Sequence, residues 1–368
     1  MTLIAAFELY GVPLLMGDIV VSSPNGIPPP SGIPTLTDSG VLARANSSNI
    51  IQGMTRKVSH IRPDLVVAWA GHCIAARHVL QDMYTNRNQL DSVEQVERYF
   101  NSIDIGGLTL ELVAMFVESG RARTALIAWN SGQIWPCGPI SAGFASGSGY
   151  ADFVDVLARA TFPVASTEPR EKLTQAVLAG LSISGQLLGD QMRVNLGIPS
   201  CFGGAYELVY VESGVPRSVE YTLYALQLDD LAGKEKKITF KGIIKVALVR
   251  EWLYVRRHDF VTEPSMDGLY EEKKSIYLLG PAHLSRPEPF TTEEIEGPLA
   301  PAMSSKFEVF YVYSPSRVDS SGSPIIKSIV HWSGSQGNGC PAVLFNRDGN
   351  ALEITLSEQL VQRLARIT

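Results

Sequence analysis

The order in which two hydrophobic periodicities follow one another restricts the fold of this chain most. Residues 2–9 read as a strand, Gly11 as a turn and residues 12–21 as a returning strand. Residues 58–61 and 65–70 read as a second pair turning at Arg62-Pro63-Asp64. From His72 the period changes, and Ile74, Ala75, Val79, Leu80 and Met83 recur at helical spacing. Residues 93–103 predict another helix, with Val96, Tyr99 and Phe100 on one face, and the apolar run 108–117 predicts a third. Residues 124–129 and 133–136 predict a hairpin. Ser148 is placed to cap a helix over 150–161, and a long Leu- and Ala-rich helix is expected over 168–188. Residues 205–212 and 219–226 read as strands again. Strands, helices, strands, helices, strands is an order that suits two sheets packed face to face with helix layers outside.

From about residue 230 the pattern changes. Residues 238–240, 244–256, 275–279, 307–313, 325–331 and 341–345 all read as strands, and residues 357–367 alone as a helix. The chain therefore divides into residues 1–229 and a β-rich extension, residues 230–368, a length that suits two domains. The Pro- and Gly-dense residues 22–40 read as a loop, either a lid over a site or a plain surface excursion. Ser333-Gly-Ser-Gln-Gly-Asn-Gly339 is glycine-rich but lacks the lysine and helix of a phosphate loop, and reads as a hairpin loop.

Charge and cysteine usage exclude several classes. A net charge of −6 without a clustered basic surface argues against nucleic-acid binding. The densest basic stretch, Lys234-Glu235-Lys236-Lys237, is interrupted by an acid and reads as a hairpin tip. The cysteines, Cys73, Cys137, Cys201 and Cys340, have no metal or redox spacing, so a reducing compartment fits best and no metal or cofactor is expected. The apolar start lacks a basic leader and contains Glu8 and Asp18, so it reads neither as a targeting signal nor as a membrane span. These features together point to a cytoplasmic protein.

The chemistry-bearing residues cluster at the chain start. Thr2 follows Met1, which aminopeptidases remove readily before a small residue. A threonine so exposed can act as a nucleophile, because its own amino group, titrating near ~7.7 to 8.0, can take the hydroxyl proton. Asp18 lies on the returning strand of the first hairpin, which folds it back towards Thr2. Lys57 supplies a cation and Gly71 ends an apolar strand just before a helix. Cys73 beside His72 is a weaker nucleophile candidate, because helix neighbours point to different faces; His72 and His78 likewise do not share a face for a metal.

The segments Met1-Thr-Leu-Ile-Ala-Ala-Phe7, Gly17-Asp18, Lys57-Val-Ser-His-Ile61, Val66-Val-Ala-Trp-Ala-Gly71 and Ala145-Ser-Gly-Ser-Gly-Tyr150, in that order and spacing, resemble the proteasome β-subunit family. The family includes the bacterial ring peptidases among the N-terminal-nucleophile hydrolases, and the resemblance covers roughly residues 2–225. It implies an α+β, four-layer αββα sandwich and threonine-type hydrolysis of an amide bond in a peptide or small molecule. Lys57 would keep the Thr2 amino group neutral, Asp18 would pair with Lys57, the Gly71 N–H would hold the oxyanion, and Ser148 would contact the amino group. It also implies a homo-oligomer, with a ring as one arrangement, and identifies no ATPase partner; no nucleic acid or membrane is expected. One part of the pattern is missing. Where family members place an Asp and a Ser before a Gly-Gly pair, this chain has Pro199 and Phe202 before Gly203-Gly204. That departure leaves an alternative, a catalytically inactive assembly or binding module whose β-rich extension is the working part.

Overall fold

The computed structural model describes residues 2–23, 50–118, 123–130, 133–137, 143–193, 202–230, 236–260, 269–284, 290–297, 301–302, 305–318, 324–332, 343–348 and 351–366. The chain opens with β1 (Leu3–Leu9), β2 (Val12–Asp18), β3 (Val20–Ser23), β4 (Ile50–Met54), β5 (Val58–Arg62) and β6 (Leu65–Gly71). Helices α1 (Cys73–Thr85) and α2 (Val93–Ser102) precede β7 (Leu110–Glu118), β8 (Arg123–Asn130), β9 (Gln133–Cys137) and β10 (Phe144–Gly147). Helices α3 (Tyr150–Arg159) and α4 (Pro169–Arg193) lead to β11 (Tyr206–Glu212) and β12 (Val215–Ser218). The remainder is β13 (Tyr221–Asp230), β14 (Lys236–Val249), β15 (Trp252–Phe260), β16 (Leu269–Leu279), α5 (Thr292–Glu296), β17 (Phe307–Val318), β18 (Pro324–Trp332), β19 (Val343–Asp348), β20 (Ala351–Leu356) and α6 (Glu358–Arg366).

Two five-stranded sheets hold the N-terminal part, one in the order β10-β1-β2-β11-β12 and the other β5-β6-β7-β8-β9. Between them lie Ile4, Ala6, Leu15, Val58, Val66, Ala68, Val113, Met115 and Val209. The outer face of the second sheet is covered by α1 and α2 through Ala76, Leu80, Met83, Val96 and Phe100. The outer face of the first sheet meets α3 and α4 through Phe153, Val156, Val177, Leu181 and Leu188. An eight-stranded sheet, β18-β17-β13-β14-β15-β16-β20-β19, is antiparallel except where β13 runs parallel to β17, and the pair β3-β4 forms a fourth sheet. β13 opens the eight-stranded sheet, so strands on both sides of residue 229 share it.

The expected four-layer αββα sandwich is not the architecture. The described chain is mostly β, with four mainly antiparallel sheets and six helices. α4, expected as an outer layer, lies in a continuous core that also contains Tyr221, Ile244, Val255, Val309 and Tyr311 of the eight-stranded sheet. Its apolar residues cover more than half the circumference, so one sheet cannot bury them. Two glycines let both neighbours approach. A methyl group at Gly180 would lie 3.0 Å from Leu208 of β11, and one at Gly189 would lie 1.7 Å from the Tyr311 ring of β17.

Several local expectations are also corrected. The run 108–117 is not helical. It is β7, whose alternate residues enter different cores: Leu110, Leu112, Ala114 and Phe116 face α1 and α2, while Val113 and Met115 face the first sheet. With both faces apolar, no alternation shows in the sequence. Residues 244–256 are two strands, because the chain reverses at Arg250, whose φ is +55°, and Val249 pairs with Trp252. Ser148 does not cap α3; Gly149 occupies the N-cap and no side chain bonds there. Of the expected loop 22–40, Ser22 and Ser23 end β3 and the rest lies outside the described residues, as do the loop 333–339 and Lys234-Glu235. Among the described residues no helix is long and apolar enough to cross a membrane.

Candidate active site

The first hairpin builds the heart of the site. Tyr10 and Gly11, with φ of +57° and +74°, form its tight turn, the conformation that matches strand twist in a two-residue loop. The resulting register pairs Ile4 with Gly17 and so brings Asp18 beside the chain start. The Thr2 hydroxyl donates to Asp18 Oδ1 at 2.5 Å, and the Leu3 N–H donates to the same oxygen at 3.0 Å. Gly203 N–H donates to Oδ2 at 2.8 Å. Gly203, which the sequence reading did not assign to the site, follows from the left-handed Gly203-Gly204 pair, with φ of +109° and +85°. Those two glycines were the available signal.

Lys57 enters from the second sheet. It is 2% exposed, and its ammonium stands 4.2 Å from the centre of the Trp69 ring, a cation–π contact. It donates no hydrogen bond among the described residues, and it is close enough to Asp18 for the two charges to interact. Its approach to β2 depends on Gly17, where a methyl group would lie 3.0 Å from Lys57 Cβ. Burial lowers the Lys57 pKa and Asp18 opposes the shift. Burial raises the Asp18 pKa, against the opposing pull of Lys57 and of the donors Thr2, Leu3 and Gly203. Each charge is therefore held near the other at the cost of solvation.

A network behind the site fixes the segment that carries Lys57, between β4 and β5. Arg56 is 1% exposed and grips Glu207 of β11 with Nε to Oε2 at 2.8 Å and Nη2 to Oε1 at 2.6 Å. Its Nη1 donates to the Glu251 carbonyl at 2.7 Å, in the turn between β14 and β15. Trp69 Nε1 donates to the Arg56 carbonyl at 3.2 Å, and the Ser218 hydroxyl donates to Glu207 Oε1 at 2.7 Å. His60 Nε2 lies 3.2 Å from the Ser218 hydroxyl. This network joins three sheets, and sequence spacing gave no sign of the Arg56–Glu207 pair.

The remaining expected residues are placed as follows. Ser148 Oγ lies 3.4 Å from the Thr2 carbonyl oxygen, to which it donates, and Gly149 N–H donates to the same oxygen at 3.3 Å. Ser148 thus bonds the Thr2 backbone at its carbonyl end, rather than the amino group that the resemblance implied. Gly71 ends β6 with φ +103°, where a methyl group would lie 2.5 Å from the Thr109 carbonyl oxygen. No hydrogen bond among the described residues links it to Thr2. Phe202 is buried and packs against Gly149, where a methyl group would lie 2.8 Å from the ring; Pro199 lies outside the described residues. Thr2 itself is 1% exposed. His72 caps α1 through Nδ1, and no group of metal-ligating side chains occurs among the described residues.

Two cavities flank this region. One, of about 220 Å³, includes Thr55, Cys73 and Arg77 in its lining. The other, of about 630 Å³, is lined by His60, Arg62, Arg87, Asp91 and Glu251. In the second, Arg62 donates to both carboxylate oxygens of Asp64. The chain matches no known family model and no curated protein.

Proposed function

We propose that the chain is a threonine-type hydrolase of amide bonds, with Thr2 as nucleophile once Met1 is removed. The observation that carries this reading is the meeting at one carboxylate, Asp18, of the Thr2 hydroxyl and a buried Lys57 ammonium that donates no hydrogen bond among the described residues. The local resemblance to proteasome β-subunits agrees with it. While Met1 is attached, the Thr2 nitrogen is an amide and has no basic lone pair. Removal creates an α-amino group able to accept the hydroxyl proton at neutral pH. The Thr2 oxygen then attacks the substrate carbonyl carbon, and the oxyanion is held by a backbone N–H such as that of Gly71. Collapse expels the amine, which takes the proton from the Thr2 amino group, and water hydrolyses the ester to regenerate Thr2. Lys57 keeps the amino group unprotonated by charge repulsion, and Asp18 orients the hydroxyl.

A second reading, an inactive assembly or binding module, is favoured by the burial of Thr2 and by Phe202 packed against Gly149 in place of a family serine. One experiment separates the two. Intact-mass measurement should show loss of Met1, and an acylating β-lactone should then add its mass to Thr2. Thr2→Ala should abolish both labelling and peptide or amide cleavage, with an unchanged circular dichroism spectrum. A chain that keeps Met1 while cleaving substrate, or a Thr2→Ala chain that cleaves normally, removes Thr2 from the mechanism.

A further inference from the structure

Trp69 meets the segment that carries Lys57 at three points. In the register of β5 with β6, Val58 faces Ala68, which sets Lys57, one residue before β5, opposite Trp69. The Trp69 N–H donates to the Lys57 carbonyl at 3.0 Å, and the indole Nε1 donates to the Arg56 carbonyl at 3.2 Å. Directly opposed residues of antiparallel strands share a face, and the third contact follows from that: the Lys57 ammonium lies over the indole, 4.2 Å from its centre. Packing holds the ring in place. Trp69 is fully buried in the core beneath α1 and α2, with Ala76, Leu80 and Phe100.

The contact answers a need of the lysine. Burial disfavours its charged form, and its three N–H donors find no hydrogen-bond or ion-pair partner among the described residues. The titratable groups whose charge reaches it are the Asp18 carboxylate on β2 and Cys73 at the start of α1, and both favour the ammonium. The negative face of the indole does the same at direct contact. Tryptophan offers the strongest such face among the aromatic residues, and the attraction grows when water is excluded. Its two hydrogen bonds to the backbone of residues 56 and 57 fix the face to the segment whose side chain it stabilises.

We propose that Trp69 is a positioning residue of the candidate site, whose indole face holds the Lys57 ammonium in place and keeps it charged. That this hold matters to turnover rests on the Thr2 reading; the hold itself does not. The test replaces Trp69 in the full-length chain with successively fluorinated tryptophans, which keep the shape and the N–H of the ring while weakening its negative face. Lysine isotope-labelled at Cε and Nζ reports the Lys57 titration by NMR, with Lys57→Met to assign the signal. The Lys57 pKa should fall stepwise along the series, by about one unit at full fluorination. Trp69→Phe should lower it as well. In parallel, the rate of β-lactone labelling of Thr2 is followed against pH. Loss of the ammonium removes the repulsion that keeps the Thr2 amino group neutral, so the alkaline limb should move to lower pH by the same amount as the Lys57 pKa. A Lys57 pKa that stays constant along the series overturns the proposal, as does an alkaline limb that stays fixed while the pKa falls. A falling pKa with no labelling at any pH supports the hold and refutes the nucleophile.

Discussion

Replacing Glu207 by alanine would strand a guanidinium inside the protein. Arg56 and Glu207 are 1% and 2% exposed, and the pair is bound through both carboxylate oxygens. Without Glu207, the five N–H groups of Arg56 keep one acceptor among the described residues, the Glu251 carbonyl at 2.7 Å. Truncating one member of a buried pair costs about 3–5 kcal/mol, because the other remains charged and desolvated. The Ser218 hydroxyl also loses its acceptor, which adds about 1 kcal/mol. A loss of roughly 4–6 kcal/mol is a large part of the ~5–15 kcal/mol that holds a domain together. Urea unfolding at pH 7, followed by tryptophan fluorescence, should show the midpoint falling with little change in slope. Trp69 is a suitable reporter, since its indole donates to the Arg56 carbonyl. The double variant Arg56→Met/Glu207→Leu removes both charges and should be more stable than Glu207→Ala alone. A loss below about 1 kcal/mol for Glu207→Ala, or a double variant less stable than the single, would refute the claim that this pair clamps the segment carrying Lys57.

Two further outcomes test the fold around the site. Gly189→Ala places a methyl group 1.7 Å from Tyr311 Cε2, in a ring that is fully buried, and should cost about 1–3 kcal/mol by overpacking. In a Tyr311→Ala background the same change should stabilise by up to ~1 kcal/mol through helix propensity, as thermal melts of the four variants would show; equal costs in both backgrounds would mean that α4 does not meet β17 there. Burial, reinforced by Arg56, His60 and Arg87, lowers the His283 pKa from 6.5 to about 4. Between those values the unfolded chain binds more protons than the folded one, so stability falls as pH drops through that window. At about 1.4 kcal/mol per pH unit the effect is on the order of 3 kcal/mol, and His283→Gln should flatten urea midpoints measured from pH 7 to 4.5; an unchanged slope would contradict the burial argument.

Local patterns carried much of this protein into view. The first hairpin was legible because Gly11 and the strand pattern around it specify a turn locally, and that turn alone brings Asp18 back to Thr2. The helices over residues 73–85 and 93–102 were legible because each has one apolar face and one solvated face. The strand β7 was not, because a strand apolar on both faces shows no period. The role of α4 was hidden for a related reason: its composition shows that it is apolar, but not that the eight-stranded sheet covers its far side. Gly203 on Asp18 and Arg56 against Glu207 both join segments distant in the chain. Sequence determined the residue types and the local turns, because propensity, capping and turn geometry act over a few neighbours. Tertiary packing decided which of those residues meet, because burial and charge pairing depend on distances in space that no local spacing encodes.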